Sequence, residues 1–196
     1  MKKLLLINSG LILILLLNCT NPFSTRDPEE PDLSGGSSTI NDLQTNPDSL
    51  LTKLRQSFSL KNVTNYEECL ADPNTSNAVF VFIPEPREIT RFNNWNRQDE
   101  CFYFNKLINT EQLNDIIINF DISNRFQVSA DTVEMTLSYL IELKFRTETE
   151  NYQGQCIFKM LRSSAALWYI YYWEDVRLDA TDPSKSWSTL KADYRY

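Results

Sequence analysis

The sequence predicts an α+β fold in which N-terminal helices pack in a strongly curved antiparallel sheet. Three observations predict it. Apolar residues recur at helical spacing between residues 46 and 108, apart from one short β-branched and aromatic run. From Ile116 onward the spacing becomes alternation, with polar turn residues between the runs. The densest aromatic run, Leu167-Trp168-Tyr169-Ile170-Tyr171-Tyr172-Trp173-Glu174-Asp175, changes parity midway, which marks a bulge that bends a strand. That run reads as the central strand on which the other elements pack.

Composition limits what the chain can do. Of 196 residues, 42% are hydrophobic and 23% charged, which suits one globular domain with appendages. A domain of about 150 residues buries roughly 68–70% of its unfolded surface and needs no metal or disulfide framework. The net charge of −7 argues against a nucleic-acid partner. His is absent, which removes the commonest general base and metal ligand. Gly154 is the only glycine after residue 46, so no glycine-rich phosphate loop can form. Neither a metal nor another cofactor is expected.

The chain begins with Met1-Lys2-Lys3 and an apolar stretch from Leu4 to Leu17, interrupted by Asn8-Ser9-Gly10. This is too short to span a bilayer comfortably and reads as an export signal, residues 1–18. The next residues, Leu16-Leu17-Asn18-Cys19, resemble the lipobox of bacterial lipoproteins, where the signal is cut before a cysteine that is then acylated. Asn18 departs from the usual small residue. The resemblance implies Cys19 as the mature N-terminus and lipid attachment site, carrying palmitate or a similar chain, with the lipid bilayer as partner. Thr20 in place of Asp favours, by analogy, the outer membrane, facing the periplasm or surface. Residues 19–45 are rich in Pro, Ser, Gly and acids and read as the lipidated Cys and a disordered tether, reaching about 30 Å.

The folded part is expected over 46–196. Asn46-Pro47 starts a first helix with Leu50, Leu51, Leu54 and Phe58 on one face. Asn62 caps a second, with Val63, Tyr66, Cys69 and Leu70 inward, and Asp72-Pro73-Asn74 breaks it. Ala78 to Ile83 reads as a strand covered on both faces. A third helix runs from Arg97 to Ile108, capped by Asn96, with Cys101, Phe104, Leu107 and Ile108 inward.

Ile116, Ile118 and Phe120 then alternate with polar residues, and Phe126 and Val128 continue them across a bend at Ser123-Asn124. Val133, Met135, Leu137, Tyr139, Ile141, Leu143 and Phe145 form the clearest alternation in the chain. Such a long strand curves. After a polar turn at Thr147–Asn151, Tyr152, Gly154, Cys156, Phe158 and Met160 line its hairpin partner. In the aromatic run, a bulge near Tyr171–Tyr172 brings Trp168, Ile170 and Trp173 to one side. Trp187 and Leu190 in the tail pack back.

This order of elements resembles the nuclear transport factor 2-like, cystatin-like fold, in which a curved sheet wraps into a cone around the helices. Trp168-x-Ile170-x-x-Trp173-x-Asp175 followed by Trp187-Ser188-x-Leu190-Lys191 is similar to the ending of exported lipoprotein members of that family. The family's enzymes, small isomerases, cyclases and dehydratases, place an Asp or His with Tyr inside the cone. By that resemblance Asp175 is the acid or base to consider; otherwise it ends a strand in solvent or in an ion pair. Tyr66, Trp95, Tyr139, Trp168 and Trp173 either line a pocket for an apolar ligand or fill the core.

Cys69, Cys101 and Cys156 read as core residues, with at most one disulfide among them. The function expected is a non-catalytic binding or envelope-assembly module, with a cone-cavity isomerase, hydratase or cyclase as the alternative. A third reading is a homodimer through the open sheet face, where Leu140 and Ile157 interrupt polar positions.

Overall fold

The computed structural model describes residues 44–177, 179 and 181–195. Cys19, the expected signal and nearly all of the expected tether lie outside the described residues.

The helices start where their caps predict. Asn46 accepts from Ser49 N, with Pro47 at the first position, and α1 runs Pro47–Ser59. Asn62 accepts from Asn65 N and opens α2, Val63–Cys69. Asp72-Pro73-Asn74 does more than end α2. Asp72 accepts from Asn74 N and starts a one-turn helix α3, Pro73–Ser76, which Asn77 closes at φ 56°. The same Asp-Pro chemistry that stops one helix caps the next.

Asn96 and Asp99 form a reciprocal capping box at α4, Arg97–Ile108. The buried stripe of α4 is Glu100, Tyr103, Phe104 and Leu107. It lies one step back from the predicted stripe, leaving Cys101 and Ile108 partly buried at its flank.

Five strands follow the order β1-β5-β4-β3-β2. They are β1 Val81–Ile83, β2 Leu113–Ser129, β3 Thr132–Phe145, β4 Thr149–Arg162 and β5 Trp168–Val176. β2 to β5 form the expected antiparallel meander. β1 departs from it by pairing in parallel with β5, Phe82 opposite Trp173. The long connection between them, α4 and three strands, makes a parallel pair possible where a hairpin would not.

The aromatic strand β5 is therefore flanked by β1 and β4, and the middle strand is β4. β1 is also covered on one face only: Phe80 and Phe82 are buried while Val81 and Ile83 are 40% and 38% exposed.

Of the four register shifts in the sheet, two fall where the sequence predicts a bend. In β5, Met160 pairs with Ile170 and Lys159 with Tyr172, which leaves Tyr171 as the extra residue of a bulge. Trp168, Ile170 and Trp173 all become buried as a result. In β2 the predicted bend is a shift between Ile122 and Asn124 inside one continuous strand. Beyond it the side chains leave the core, and Phe126 is 61% exposed and Val128 55%.

The β3 alternation is buried from Val133 to Leu143, as are Tyr152, Cys156, Phe158 and Met160 of β4. The tail forms α5, Trp187–Asp193, with Trp187 and Leu190 buried. Cys69, Cys101 and Cys156 are free thiols, and burial pushes Cys69 and Cys101 up to about 12. No described helix is long and apolar enough to cross a membrane.

Gly154 is fixed by a close approach. A Cβ there would lie 2.6 Å from Tyr139 Oη and 3.0 Å from its Cζ. Gly154→Ala is expected to cost about 1–3 kcal/mol through overpacking. In urea unfolding, Gly154→Ala with Tyr139→Phe should cost less than the sum of the two singles, because the phenol oxygen is the nearest obstacle.

Candidate functional site

The concave face of the sheet and the helices enclose an aromatic interior centred on Trp187 of α5. Its ring meets Trp173 edge-on at 4.4 Å, Tyr139 at 5.2 Å and Phe58 at 5.8 Å. Trp173 meets Phe158 at 4.8 Å, and Phe58 meets Phe104 at the same separation. Rings that pack edge to face at these distances fill space, so what a hollow cone would leave open is occupied here by side chains.

Two buried carboxylates organise the polar groups inside. Glu100 of α4 accepts from the Tyr66 hydroxyl at 2.5 Å and from Trp95 Nε1 at 2.6 Å. The Lys191 ammonium of α5 stands 2.7 Å from Glu100 Oε1, both side chains fully buried. Burial lowers the Lys191 ammonium to about 8, against the pull of Glu100. Burial and the Glu100 charge hold Tyr66 well above the ordinary phenol range.

Asp175 is the second. Its Oδ1 accepts from the Tyr139 hydroxyl at 2.7 Å, and its Oδ2 from Ser188 N at 2.7 Å and Ser188 Oγ at 2.5 Å. Tyr139 Oη in turn accepts from Trp187 N at 2.7 Å. The first turn of α5 is thus held to the sheet by its own orphan amides. Burial raises the Asp175 carboxyl, and the hydrogen bonds from Ser188 and Tyr139 oppose the rise. Burial and the Asp175 charge push the Tyr139 phenol well up.

A third buried carboxylate, Glu85, accepts from Arg177 at 2.5 and 2.7 Å and from Ser186 Oγ at 2.9 Å, fixing the loop that leads into α5.

Of the residues predicted as pocket or core aromatics, Tyr66, Trp95, Tyr139 and Trp173 all join this interior. Trp168 is buried in the same core at the start of β5, where its carbonyl accepts from Gln44 at 3.1 Å. Gln44, in the segment expected as tether, is buried, and it also accepts from Lys53 Nζ at 3.0 Å. The fold therefore reaches back past α1.

Asp175 is neither solvated nor in a direct ion pair; it caps α5. A 280 Å³ cleft does open beside Tyr139 and Gly154, lined mainly by Gln153, Gln155, Arg177 and Asp182, but Asp175 does not line it. Two larger clefts, 440 and 510 Å³, lie around Arg97 and around Arg162.

Glu100 and Glu85 were not singled out from the sequence, and Ser188 and Lys191 entered only as part of the Trp187-Ser188-x-Leu190-Lys191 resemblance, with no role assigned. For Glu100 a signal existed, since Glu100, Tyr103, Phe104 and Leu107 share the i, i+3, i+4, i+7 face.

Two predictions follow from the carboxylates. Asp175→Ala leaves the Tyr139 hydroxyl and the Ser188 donors unanswered and should cost about 3 kcal/mol or more in denaturant unfolding. Asp175→Asn, which keeps one acceptor, should cost less.

The second concerns alkali. Tyr66 and Tyr139 are raised above their ordinary 10.0. Their contribution to stability is complete below pH 10 and is lost as pH rises further, since the unfolded chain releases those protons first. Lys191 acts oppositely, adding stability between pH 8 and 10.5 as its proton leaves. In an alkaline titration the tyrosinate absorbance of these two phenols should therefore appear together with loss of near-ultraviolet circular dichroism, not before it.

No family model and no curated protein matches this sequence. Solved structures do. A nuclear transport factor 2-like superfamily protein from Salmonella enterica aligns with a TM-score of 0.51 at 12% identity, over 76% of this chain and 97% of that one. A conserved protein from Planctomyces limnophilus aligns at 0.53 and 9%, over 66% and 94%. A domain with a cystatin-like fold from Nostoc punctiforme aligns at 0.50 and 10%, over 68% and 75%. With the five-stranded curved sheet around its helices, the chain has the cystatin-like, nuclear transport factor 2-like fold.

Proposed function

We propose that the protein is an exported lipoprotein, held at the cell envelope through acylated Cys19, whose domain works without catalysis as a binding or envelope-assembly module. The observation that supports the non-catalytic reading is the filled interior. An isomerase or hydratase of this fold needs an acid–base pair that a substrate can reach. Here the Asp175 oxygens are taken by Tyr139 and Ser188, and Trp187 lies beside them with no exposed surface.

Leu16-Leu17-Asn18-Cys19 and the polar segment after it support the anchor. The outer membrane is the proposed destination, from Thr20. A second copy of the chain is the proposed partner for the outer sheet face. Phe126, Leu140, Val81 and Ile83 are exposed there at 61%, 36%, 40% and 38%, beside half-buried Ile157.

The experiment is metabolic labelling with palmitate in a bacterial host. The wild-type chain should carry label and sediment with membranes, and Cys19→Ser should lose both. A Cys19→Ser chain that keeps its label, or a wild-type chain without any, would overturn the anchor.

A further inference from the structure

A lysine usually lays its methylenes along apolar surface and keeps its ammonium in water. Lys191 does not keep its ammonium in water. It is fully buried, and its Nζ lies 3.4 Å from the centroid of the Trp173 ring and 3.6 Å from that of Phe82. Tyr103 and Trp187 stand farther out, each centroid at 6.0 Å. One carboxylate, Glu100, completes the surround at 2.7 Å.

Glu100 is itself aimed by two donors from outside the cage, the Tyr66 hydroxyl and Trp95 Nε1. Trp173 Nε1 is buried and has no hydrogen-bond partner among the described residues. What that indole contributes is its face. A simple buried ion pair would surround the ammonium with acceptors. Ring faces with one carboxylate are instead the chemistry that recognises an ammonium group.

We propose that the interior of the cone is a binding cage for an alkylammonium group, a primary or methylated amine, which Lys191 occupies as the chain's own ligand. The cage is built by β1, β5 and α4, which supply Phe82, Trp173 and Glu100, whereas its occupant comes from α5. α5 has seven residues, too few to persist as a helix without its attachments to the sheet. Cage and occupant thus come from different elements, and an amine from outside competes with Lys191 for one place. This gives the binding-module reading a ligand class and rests on that reading only for its use in the cell.

The test uses the full chain with Lys191→Ala, which empties the cage, and Lys191→Met, which refills it without charge. n-Butylammonium should raise the thermal midpoint of Lys191→Ala by several degrees in a saturable manner, with n-butanol giving much less. Lys191→Met should not respond, and the wild type should respond only at amine concentrations far above those that saturate Lys191→Ala. Equal effects of amine and alcohol, equal effects on both variants, or no effect on Lys191→Ala would each overturn the cage.

If Lys191→Ala folds only with butylammonium present, the proposal is supported. If it folds under neither condition, the wild type decides: one lysine Hε resonance should be moved strongly upfield by the Trp173 and Phe82 ring currents, and its absence overturns the cage. None of these failures touches the anchor, which is read from Cys19→Ser.

Discussion

A carboxylate placed inside an apolar domain has to be answered by donors, and the answer given to Glu100 ties the helical layer together. Two hydrogen-bond donors arrive from α2 (Tyr66) and from the segment before α4 (Trp95), and α5 brings the ammonium of Lys191 as the ion-pair partner. Each missing donor would leave part of a charge unsolvated, a cost larger than the modest net gain of a formed hydrogen bond. The elements are thus held in one relative arrangement by the penalty for leaving it. Lys191 is in direct contact with one carboxylate, Glu100, and the rings of Phe82 and Trp173 cover the rest of its ammonium.

Asp175 does for the sheet what Glu100 does for the helices. A helix of seven residues cannot hold itself. Its first-turn amides are answered from the sheet, Ser188 N by Asp175 and Trp187 N by Tyr139 Oη. Tyr139 fills that place only because residue 154 has no Cβ to displace its hydroxyl. A chain of small constraints, Gly154 to Tyr139 to Trp187 and Asp175 to Ser188, sets α5 across the open side of the curved sheet. The resemblance to enzymes of this fold pointed to Asp175 as an acid or base. In the structure Asp175 accepts from Tyr139 and from Ser188 of α5, the element that fills the cone.

Much of the fold was legible because local chemistry decides it. Asn46-Pro47, Asn62 and Asn96 each open a helix through a side-chain oxygen, and the β3 alternation marks its buried face without ambiguity. The parity change at Tyr171–Tyr172 was readable as a bulge for the same reason. The parallel pairing of β1 was not, because three residues carry no record of which edge they will meet. The buried charges were hidden differently. Glu100 and Lys191 look like ordinary surface residues of their helices, and only their placement beside each other, with Tyr66 and Trp95 on Glu100 and rings around Lys191, makes them tolerable inside. A stripe drawn through apolar residues alone slides past Glu100 onto Cys101, which is how the face of α4 was misplaced by one residue.

The division of labour between packing and polarity explains why such an interior persists. A buried Trp removes 150–250 Å² from water, worth about 4–6 kcal/mol at about 25 cal/mol per Å². Trp173 and Trp187, the largest fully buried side chains, are therefore the largest single contributions to the interior. Apolar packing is indifferent to small rotations of a helix, however, and α5 would pack Trp187 and Leu190 in several orientations at similar free energy. The buried charges are not indifferent. Turning α5 by one residue would withdraw Lys191 from Glu100 and Ser188 from Asp175, exposing two carboxylates to an apolar surround at once. The polar contacts thus add little net energy and select one arrangement among those the aromatics permit. The same contacts make the interior discriminating, since anything that replaces α5 there must also answer Glu100 and Asp175.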